Sequence, residues 1–259
     1  MSATPAPQRA ALVLGHPGHE LRVLGWASAN RPCVAVLTDG SGHEGDSRID
    51  LTTDLLAAMQ CPTGPIYGAT TDRALYARLL ACDADFFLDL AERLAAWLHS
   101  ERIDVVASDG IEGYNPTHDL CTAIVARSVR QVASNGRHIR HCTFALTDAP
   151  PPDPMPDAAL LVVLDDAALE SKLSLARRYA HRAGGALVDE VDEMIARFGR
   201  AAFAREVFVP ADESRDFAPF ATTKPFYETH GERQVAAGRY RDVIRFRAHM
   251  LPILQALRG

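Results

Sequence analysis

The chain lacks the features that define several common protein classes. It has no run of about 20 apolar residues, so no membrane span is predicted. Residues 1–9 contain no long apolar segment before a cleavage site, which indicates a flexible lead-in rather than a signal peptide. Basic residues are outnumbered, 27 Lys and Arg against 33 Asp and Glu. The resulting net charge of −6 argues against partners such as nucleic acid or an anionic membrane.

Cysteine is scarce and follows no motif. The five cysteines are odd in number and widely spaced, at Cys33, Cys61, Cys82, Cys121 and Cys142. This pattern predicts buried free thiols in a reducing cytoplasm rather than disulfides or a cysteine–metal site. No internal repeat is visible, and 259 residues suffice for one sizeable core. We therefore expect a single α/β domain over 1–259, with an exposed proline-rich linker at 149–156.

The most informative segment lies near the N-terminus. An apolar strand predicted at Ala10–Leu14 stops at Gly15, and His16 and His19 follow before an amphipathic stretch predicted as a helix over 19–29. A second strand predicted at 32–38 completes a βαβ unit with parallel strands. In open α/β sheets, ligands bind at the carboxyl edge of the strands, where these two imidazoles are expected.

A second strand–loop–helix segment spans residues 103–133. An apolar strand is predicted at 103–108, a polar loop at 109–117, and a helix that begins at His118. Because parallel strands end at the same edge, His16, His19 and His118 are expected to converge. Three imidazoles and an open position form a catalytic zinc arrangement, although cobalt, nickel or iron also accept imidazole. Such a metal polarises carbonyl groups and activates water, as amide hydrolysis requires.

These two motifs resemble those of the PIG-L/LmbE-like metal-dependent N-deacetylases. That family has His-Pro-Asp-Asp-Glu after its first strand, where this chain has His16-Pro-Gly-His19-Glu20. It has His-x-x-His at the start of a helix, where this chain has Asn115-Pro-Thr-His118. The resemblance implies a Rossmann-like three-layer α/β sandwich with a mostly parallel central sheet. It also implies that the family activity is removal of acetyl groups from N-acetylated amino sugars and related glycosides.

The resemblance also implies roles for individual residues. His16, His19 and His118 stand at the three metal-ligand positions, with His19 in place of an aspartate. Gly18 stands where the family has its general-base aspartate. Asn115 replaces a histidine that acts on the tetrahedral intermediate, and its amide can still donate a hydrogen bond to an oxyanion. Arg48 falls where the family has a substrate-facing arginine.

Because position 18 is a glycine, the identity of the general base stays open. Three carboxylates are candidates to replace it: Glu20 on the first helical turn, Asp39 at the end of the second strand, and Asp109 at the end of the strand before the second motif. Asp119 is expected to orient a ligand imidazole. Tyr114 is expected either to line the substrate pocket or to pack under the loop.

The sequence therefore predicts a zinc-dependent hydrolase acting on a small-molecule substrate, an N-acetyl sugar derivative. One alternative is a divergent relative that lacks the base and has no deacetylase activity or another reaction. A weaker alternative is a nucleotide-binding protein, because Gly15-x-x-Gly18 opens a helix and Asp39 ends the next strand. The full Gly-x-Gly-x-x-Gly pattern is absent. Nothing in the sequence indicates the oligomeric state.

Overall fold

A seven-stranded sheet organises the chain. The computed structural model describes residues 8–42, 45–149 and 159–259, so most of the expected lead-in (1–7) and of the expected proline-rich linker (150–156) lie outside the described residues. The strand order across the sheet is β3-β2-β1-β4-β5-β7-β6. The strands are β1 (Ala10–Leu14), β2 (Cys33–Thr38), β3 (Thr63–Thr70), β4 (Val105–Asp109), β5 (Arg140–Phe144), β6 (Leu160–Val163) and β7 (Arg205–Pro210).

Strand direction divides this sheet into two parts. The first five strands run parallel, while β7 pairs antiparallel with both β5 and β6. The sequence predicts an edge strand at 205–209, and this is wrong: β7 lies between β5 and β6, and β6 is the edge. The pattern within one strand carries no information about how many neighbours the strand has.

Helices cover both faces of the sheet. On β1, Ala11 and Val13 enter one apolar cluster, whereas Leu12 and Leu14 enter the other. Helices α3, α4, α5 and α10 supply the first cluster, and α1 and α2 contribute to the second. The predicted three-layer sandwich is therefore confirmed. The helices are α1 (Leu24–Asn30), α2 (Ile49–Ala58), α3 (Asp72–Leu80), α4 (Ala84–Ser100), α5 (Pro116–Ser134), α6 (Asp166–Ala183), α7 (Gly185–Phe198), α8 (Glu213–Phe217), α9 (Phe226–Ala236) and α10 (Leu251–Arg258).

The order of connections changes direction between β1 and β4. From β1 the chain builds outward through β2 and β3, and then returns to place β4 and β5 on the other side of β1. The loops that follow β1 and β4 therefore lie side by side at the carboxyl edge, with a crevice between them. This is the position at which open α/β sheets bind ligands.

The first helical segment differs from its predicted form. The sequence pattern indicates one helix over 19–29, but the structure has a 3-10 turn at His19–Val23 and α1 only from Leu24. The preceding residue, Gly18, has a left-handed φ of 101°. The tight 3-10 turn brings His19 back toward the end of β1.

A buried ion pair fixes α6 to the sheet. Lys172 of α6 places Nζ 2.7 Å from Glu206 Oε1 on β7, and its Nζ also donates to the Arg22 carbonyl oxygen at 2.6 Å. The same carboxylate accepts from the backbone N–H groups of Gly25 and Trp26. Burial lowers the pKa of Lys172, although Glu206 opposes the shift. One carboxylate thus connects β7, α1 and α6.

Two simpler expectations can be compared with the structure. All five cysteines are free thiols, and Cys61, Cys121 and Cys142 are buried. Among the helices of the described ranges, none combines the length and apolar character needed to span a bilayer.

We expect Glu206→Ala to destabilise the fold by about 3–5 kcal/mol, because it leaves the Lys172 ammonium buried without its counter-ion. Urea denaturation measures the change in the free energy of unfolding. Asp54→Ala is the matched control, since it removes the exposed Asp54–Arg182 pair, and such pairs contribute about 0–1 kcal/mol. Equal losses in the two variants would contradict the anchoring role of Glu206.

Candidate functional site

Three imidazoles meet where the loops after β1 and β4 adjoin. His16 follows β1, His19 lies in the 3-10 turn, and His118 lies in the first turn of α5. The ring centroids are 5.3 Å apart for His16 and His19, 5.4 Å for His16 and His118, and 4.5 Å for His19 and His118. We call these three residues the histidine triad.

The His16 ring is fixed by β2 and α3. Its Nδ1 lies 2.8 Å from Thr38 Oγ1 and 2.9 Å from Asp72 Oδ1. The Thr38 hydroxyl donates its proton to the Gly15 carbonyl oxygen, so it accepts from His16. This assignment protonates Nδ1 and leaves a lone pair on Nε2. His16 Nε2 is buried and has no hydrogen-bond partner within the described structure.

Asp72 was not singled out from the sequence. Its Oδ2 accepts from the Gly42 N–H at 2.6 Å, and its side chain is buried. Burial would raise the pKa of this carboxyl, but the adjacent His16 ring, Thr38 and the Gly42 N–H hold it well below its ordinary value. A signal was available, because Asp72 follows the end of β3 just as Asp39 follows β2. The same sheet-edge argument therefore applied to it.

The His19 ring is fixed by the carboxylate at the end of β4. His19 Nδ1 lies 2.8 Å from Asp109 Oδ2, which also accepts from the Gly15 N–H at 2.7 Å. Burial raises the pKa of Asp109 to about 7, with the Gly15 hydrogen bond opposing the shift. Asp109 thus contacts His19 through Nδ1, as a residue that orients a metal-binding imidazole does.

The triad has the protonation state that metal ligands need. Burial is the main cause that lowers the pKa of His19 and His118 well below the ordinary value, and the neighbouring imidazoles add to it. Both rings are therefore neutral near pH 7. His118 Nδ1, like His16 Nε2, is buried and has no hydrogen-bond partner in the described structure. Two buried ring nitrogens without hydrogen-bond partners thus lie within the same cluster.

The spacing of the three imidazole rings fits a metal ion, although their nitrogens are not already arranged around one point. Imidazoles bound tetrahedrally to one zinc ion through bonds of about 2.0–2.1 Å hold their ring centres about 5 Å apart. The observed separations of 4.5–5.4 Å are close to that value. In the part of the chain described, however, no group of three His, Cys, Asp or Glu side chains is already arranged to hold an ion. Metal binding therefore belongs to the proposals below.

At position 18 the structure disfavours any side chain beyond a hydrogen atom. Gly18 has φ 101°, and a Cβ built there would lie 3.2 Å from the nearest ring carbon of Tyr179, which comes from α6. The Gly18 N–H donates to Glu20 Oε2 at 2.8 Å. Both the backbone conformation and the tyrosine ring therefore favour glycine at this position.

Glu20 stabilises the loop after β1 through hydrogen bonds. Its Oε1 accepts from the Thr52 hydroxyl at 2.7 Å, and the Thr52 oxygen lies 3.1 Å from the Tyr179 hydroxyl. Since Thr52 donates to Glu20, Tyr179 donates to Thr52. Burial raises the pKa of Glu20. The described contacts of Glu20 connect the Gly18 loop to α2 and α6, and Glu20 is absent from the residues that line the cavity over the triad.

Two further predicted carboxylates have other contacts. Asp39 Oδ1 accepts from the Ser41 N–H at 3.0 Å, which is a turn contact, and Asp39 does not line the cavity. Asp119 Oδ1 accepts from the Glu112 and Gly113 N–H groups, and so it caps the loop after β4. No described hydrogen bond joins Asp119 to a triad imidazole, and the carboxylate that contacts His19 is Asp109. The sequence places Asp109 and Asp119 near the carboxyl edge of the sheet, but it does not indicate which of the two points toward the imidazoles.

Asn115 and Tyr114 flank His118. Asn115 caps α5, with Oδ1 accepting from the Thr117 N–H at 2.8 Å and from the Tyr76 hydroxyl at 3.3 Å. The amide NH₂ of Asn115 thus stays available as a donor on the cavity wall. The Tyr114 ring is 42% exposed and stacks on Phe226 at 4.9 Å, with its centroid 6.5 Å from that of His118. Of its two predicted positions, Tyr114 takes the one that lines the cavity.

A cavity of about 310 Å³ lies over the triad, at the lower end of the range for small-molecule sites. Arg48 lines it, with Nε donating to the Gly40 carbonyl oxygen at 2.7 Å. Its roof is α6 and α7, which the sequence analysis did not connect with the site. Glu190 of α7 is the roof carboxylate that borders the cavity, and burial raises its pKa, with Arg48 opposing the shift.

Comparison with known proteins supports the fold at low sequence similarity. No protein-family model matches the chain, and no curated protein matches it. Similar solved structures include a triple mutant of a deacetylase involved in the teicoplanin biosynthetic pathway (TM-score 0.52, 12% identity, 79% of this chain and 99% of that chain). They also include the A40926 pseudoaglycone deacetylase Dbv21 (0.50, 13%, 79% and 97%) and the zinc-inhibited form of teicoplanin deacetylase Orf2 (0.50, 11%, 79% and 99%). At these low identities, the structural similarity shows a shared fold and nothing more.

We expect Gly18→Ala to destabilise the protein by about 1–2 kcal/mol, because alanine is strained at this φ and its Cβ presses on Tyr179. Gly136→Ala is the matched control, since Gly136 has φ 83° but open space around it. The difference between the two free energies of unfolding, measured by chemical denaturation, isolates the Tyr179 contact. A Gly18→Ala variant less destabilised than Gly136→Ala would show that Tyr179 imposes no restriction.

Proposed function

We propose that this protein is a metal-dependent hydrolase that cleaves the amide bond of an N-acylated amino sugar or related glycoside. The observation that carries the proposal is the convergence of three buried imidazoles below a cavity at the topological switch point. The similar solved structures support it, because three of them are named as deacetylases.

Zinc is the metal that we propose, held by His16, His19 and His118. Neutral imidazole suits zinc, and one of the similar deacetylase structures is a zinc-inhibited form. When bound, the ion would polarise the amide carbonyl and lower the pKa of water for attack on it. Thr38, Asp72 and Asp109 hold the imidazole rings from behind, an arrangement that sets tautomer and ring orientation.

The remaining roles fall to residues on the cavity wall. We propose that the Asn115 amide donates a hydrogen bond to the oxyanion that forms at the carbonyl. Arg48 and Tyr114 are proposed to contact the sugar portion. For the general base we propose Glu190, since Glu20, Asp39 and Asp109 do not line the cavity and the pKa of Asp72 is held well below its ordinary value, which makes Asp72 a weak base. The raised pKa of Glu190 is what a base that works near neutral pH needs.

The nucleotide-binding alternative is not favoured by the loop after β1. A phosphate group would need the backbone N–H groups of that loop. The Gly15 N–H already donates to Asp109, and the Gly18 N–H already donates to Glu20.

Loss of a triad histidine should remove the metal. We expect zinc-loaded wild-type protein to retain about one ion per chain after dialysis, and His16→Ala and His118→Ala to retain little, because each removes a ligand. Elemental analysis of the dialysed proteins measures this. His138→Ala, at an exposed position outside the site, is the control. Stoichiometric metal in both triad variants would sink the metal-site proposal.

Removal of the proposed base should slow hydrolysis. We expect Glu190→Gln to lower kcat by about 10²–10⁴-fold on N-acetylglucosamine derivatives, with Glu193→Gln, one turn along the same helix and outside the cavity, as control. A base works deprotonated, so wild-type kcat/KM should fall as pH drops through the raised pKa of Glu190. Glu190→Gln should lack that acid limb. An unchanged pH profile in the variant would assign the base to another residue.

A further inference from the structure

The roof of the cavity is more apolar than an acetyl-sized substrate needs. One face of α7 lines the cavity with side chains at helical spacing, namely Leu187, Glu190, Val191, Met194 and Ile195. Except for Glu190, this face is aliphatic. None of the described side chains of α7 is fully buried. The aliphatic stripe therefore faces the cavity rather than a packed core, which is unusual for the apolar side of an amphipathic helix.

The facing helix, α6, contributes small side chains that leave space in the cavity. Leu173, Ala176 and Ala180 of α6 border the same cavity at i, i+3 and i+7. The two alanines lie one turn apart and fill little of the volume between the helices. Aliphatic walls around about 310 Å³ of space form an environment for an apolar group.

We propose that this roof is an acyl-chain subsite, so that the preferred substrate carries a medium-length aliphatic acyl group on the amino sugar instead of acetyl. The inference rests on the proposed hydrolase function and deepens it.

The polarity of the two substrate halves assigns the acyl group to the roof. A sugar packed against aliphatic side chains would leave its hydroxyls without hydrogen-bond partners, which is costly. An alkyl chain has no such groups, and it gains from each methylene removed from water. The polar wall residues Arg48, Tyr114 and Asn115 are suited to the sugar half. The acyl half is therefore the part that matches the aliphatic stripe.

Binding of an acyl series tests the subsite independently of turnover. Glucosamine acylated with acetyl, butanoyl, hexanoyl or octanoyl is titrated into the full-length protein, with and without zinc, by calorimetry. We expect affinity to rise with chain length, by up to about fourfold for each methylene that is buried. Octyl β-glycoside of N-acetylglucosamine is the second arm, since it carries the same alkyl length on the anomeric oxygen instead of on the amide.

Variants locate the effect on the roof. We expect Val191→Thr to weaken octanoyl binding about 3–10-fold and to leave acetyl binding unchanged, because a hydroxyl replaces a methyl group against the chain. Val188→Thr is the matched control, as it lies on the same helix, is also half-buried, and does not line the cavity. Ala176→Leu should fill the space between the helices and reduce octanoyl binding at least tenfold while acetyl binding persists.

The outcomes separate this inference from the proposed function. Affinity that does not rise with acyl length, or that rises equally for the octyl glycoside, overturns the acyl subsite. Hydrolysis of N-acetylglucosamine derivatives in that case leaves the hydrolase standing. Affinity that rises with acyl length and falls in Val191→Thr supports the subsite, and absence of hydrolysis alongside it overturns the hydrolase alone.

Discussion

A single buried carboxylate holds the candidate site together. Asp109 ends β4, yet its Oδ2 accepts from Gly15 on the loop after β1 and lies 2.8 Å from Nδ1 of His19. Its backbone oxygen also accepts from the Thr122 hydroxyl of α5. Three elements thus meet at one residue with no exposed surface. Both partners of Oδ2 come from the segment that follows β1, so the direction of that loop and of His19 is tied to the strand order that places β1 beside β4.

The other two imidazoles depend on different parts of the same sheet. His16 is oriented by Thr38 at the end of β2 and by Asp72 after β3. His118 is carried by the first turn of α5, whose N-cap is Asn115. The ends of four adjacent strands therefore contribute to one cluster, directly or through the loops that follow them. The site is a property of the parallel half of the sheet rather than of either motif alone.

The sequence predicted the parallel core and the meeting of the two loops, because apolar runs, polar strand ends and parallel polarity are all local patterns. It did not predict which side chains point inward. Asp109 contacts an imidazole, a role expected for Asp119, while Asp119 caps the loop after β4. Asp72 was overlooked although it follows a strand in the same way as Asp39. The roof was missed for a different reason. Tyr179 and Glu190 lie on ordinary amphipathic helices far along the chain, where no sequence motif marks them. The buried Lys172–Glu206 pair and the Tyr179–Thr52 contact help to fix α6 above the triad, and both join residues that are distant in the sequence.

The glycine at position 18 and the roof of the cavity are connected through Tyr179. A carboxylate cannot extend from Gly18 without strain, since φ is 101° and the Tyr179 ring covers the space where its Cβ would lie. Tyr179 belongs to α6, so the helix that excludes a base from the first loop also forms the wall beside α7. That wall brings Glu190 and the aliphatic stripe of α7 to the same cavity. Glu190 borders this cavity and burial raises its pKa, which suits a group that takes up a proton. Under the proposed function, proton transfer and substrate selection would be supplied by the same pair of helices, α6 and α7.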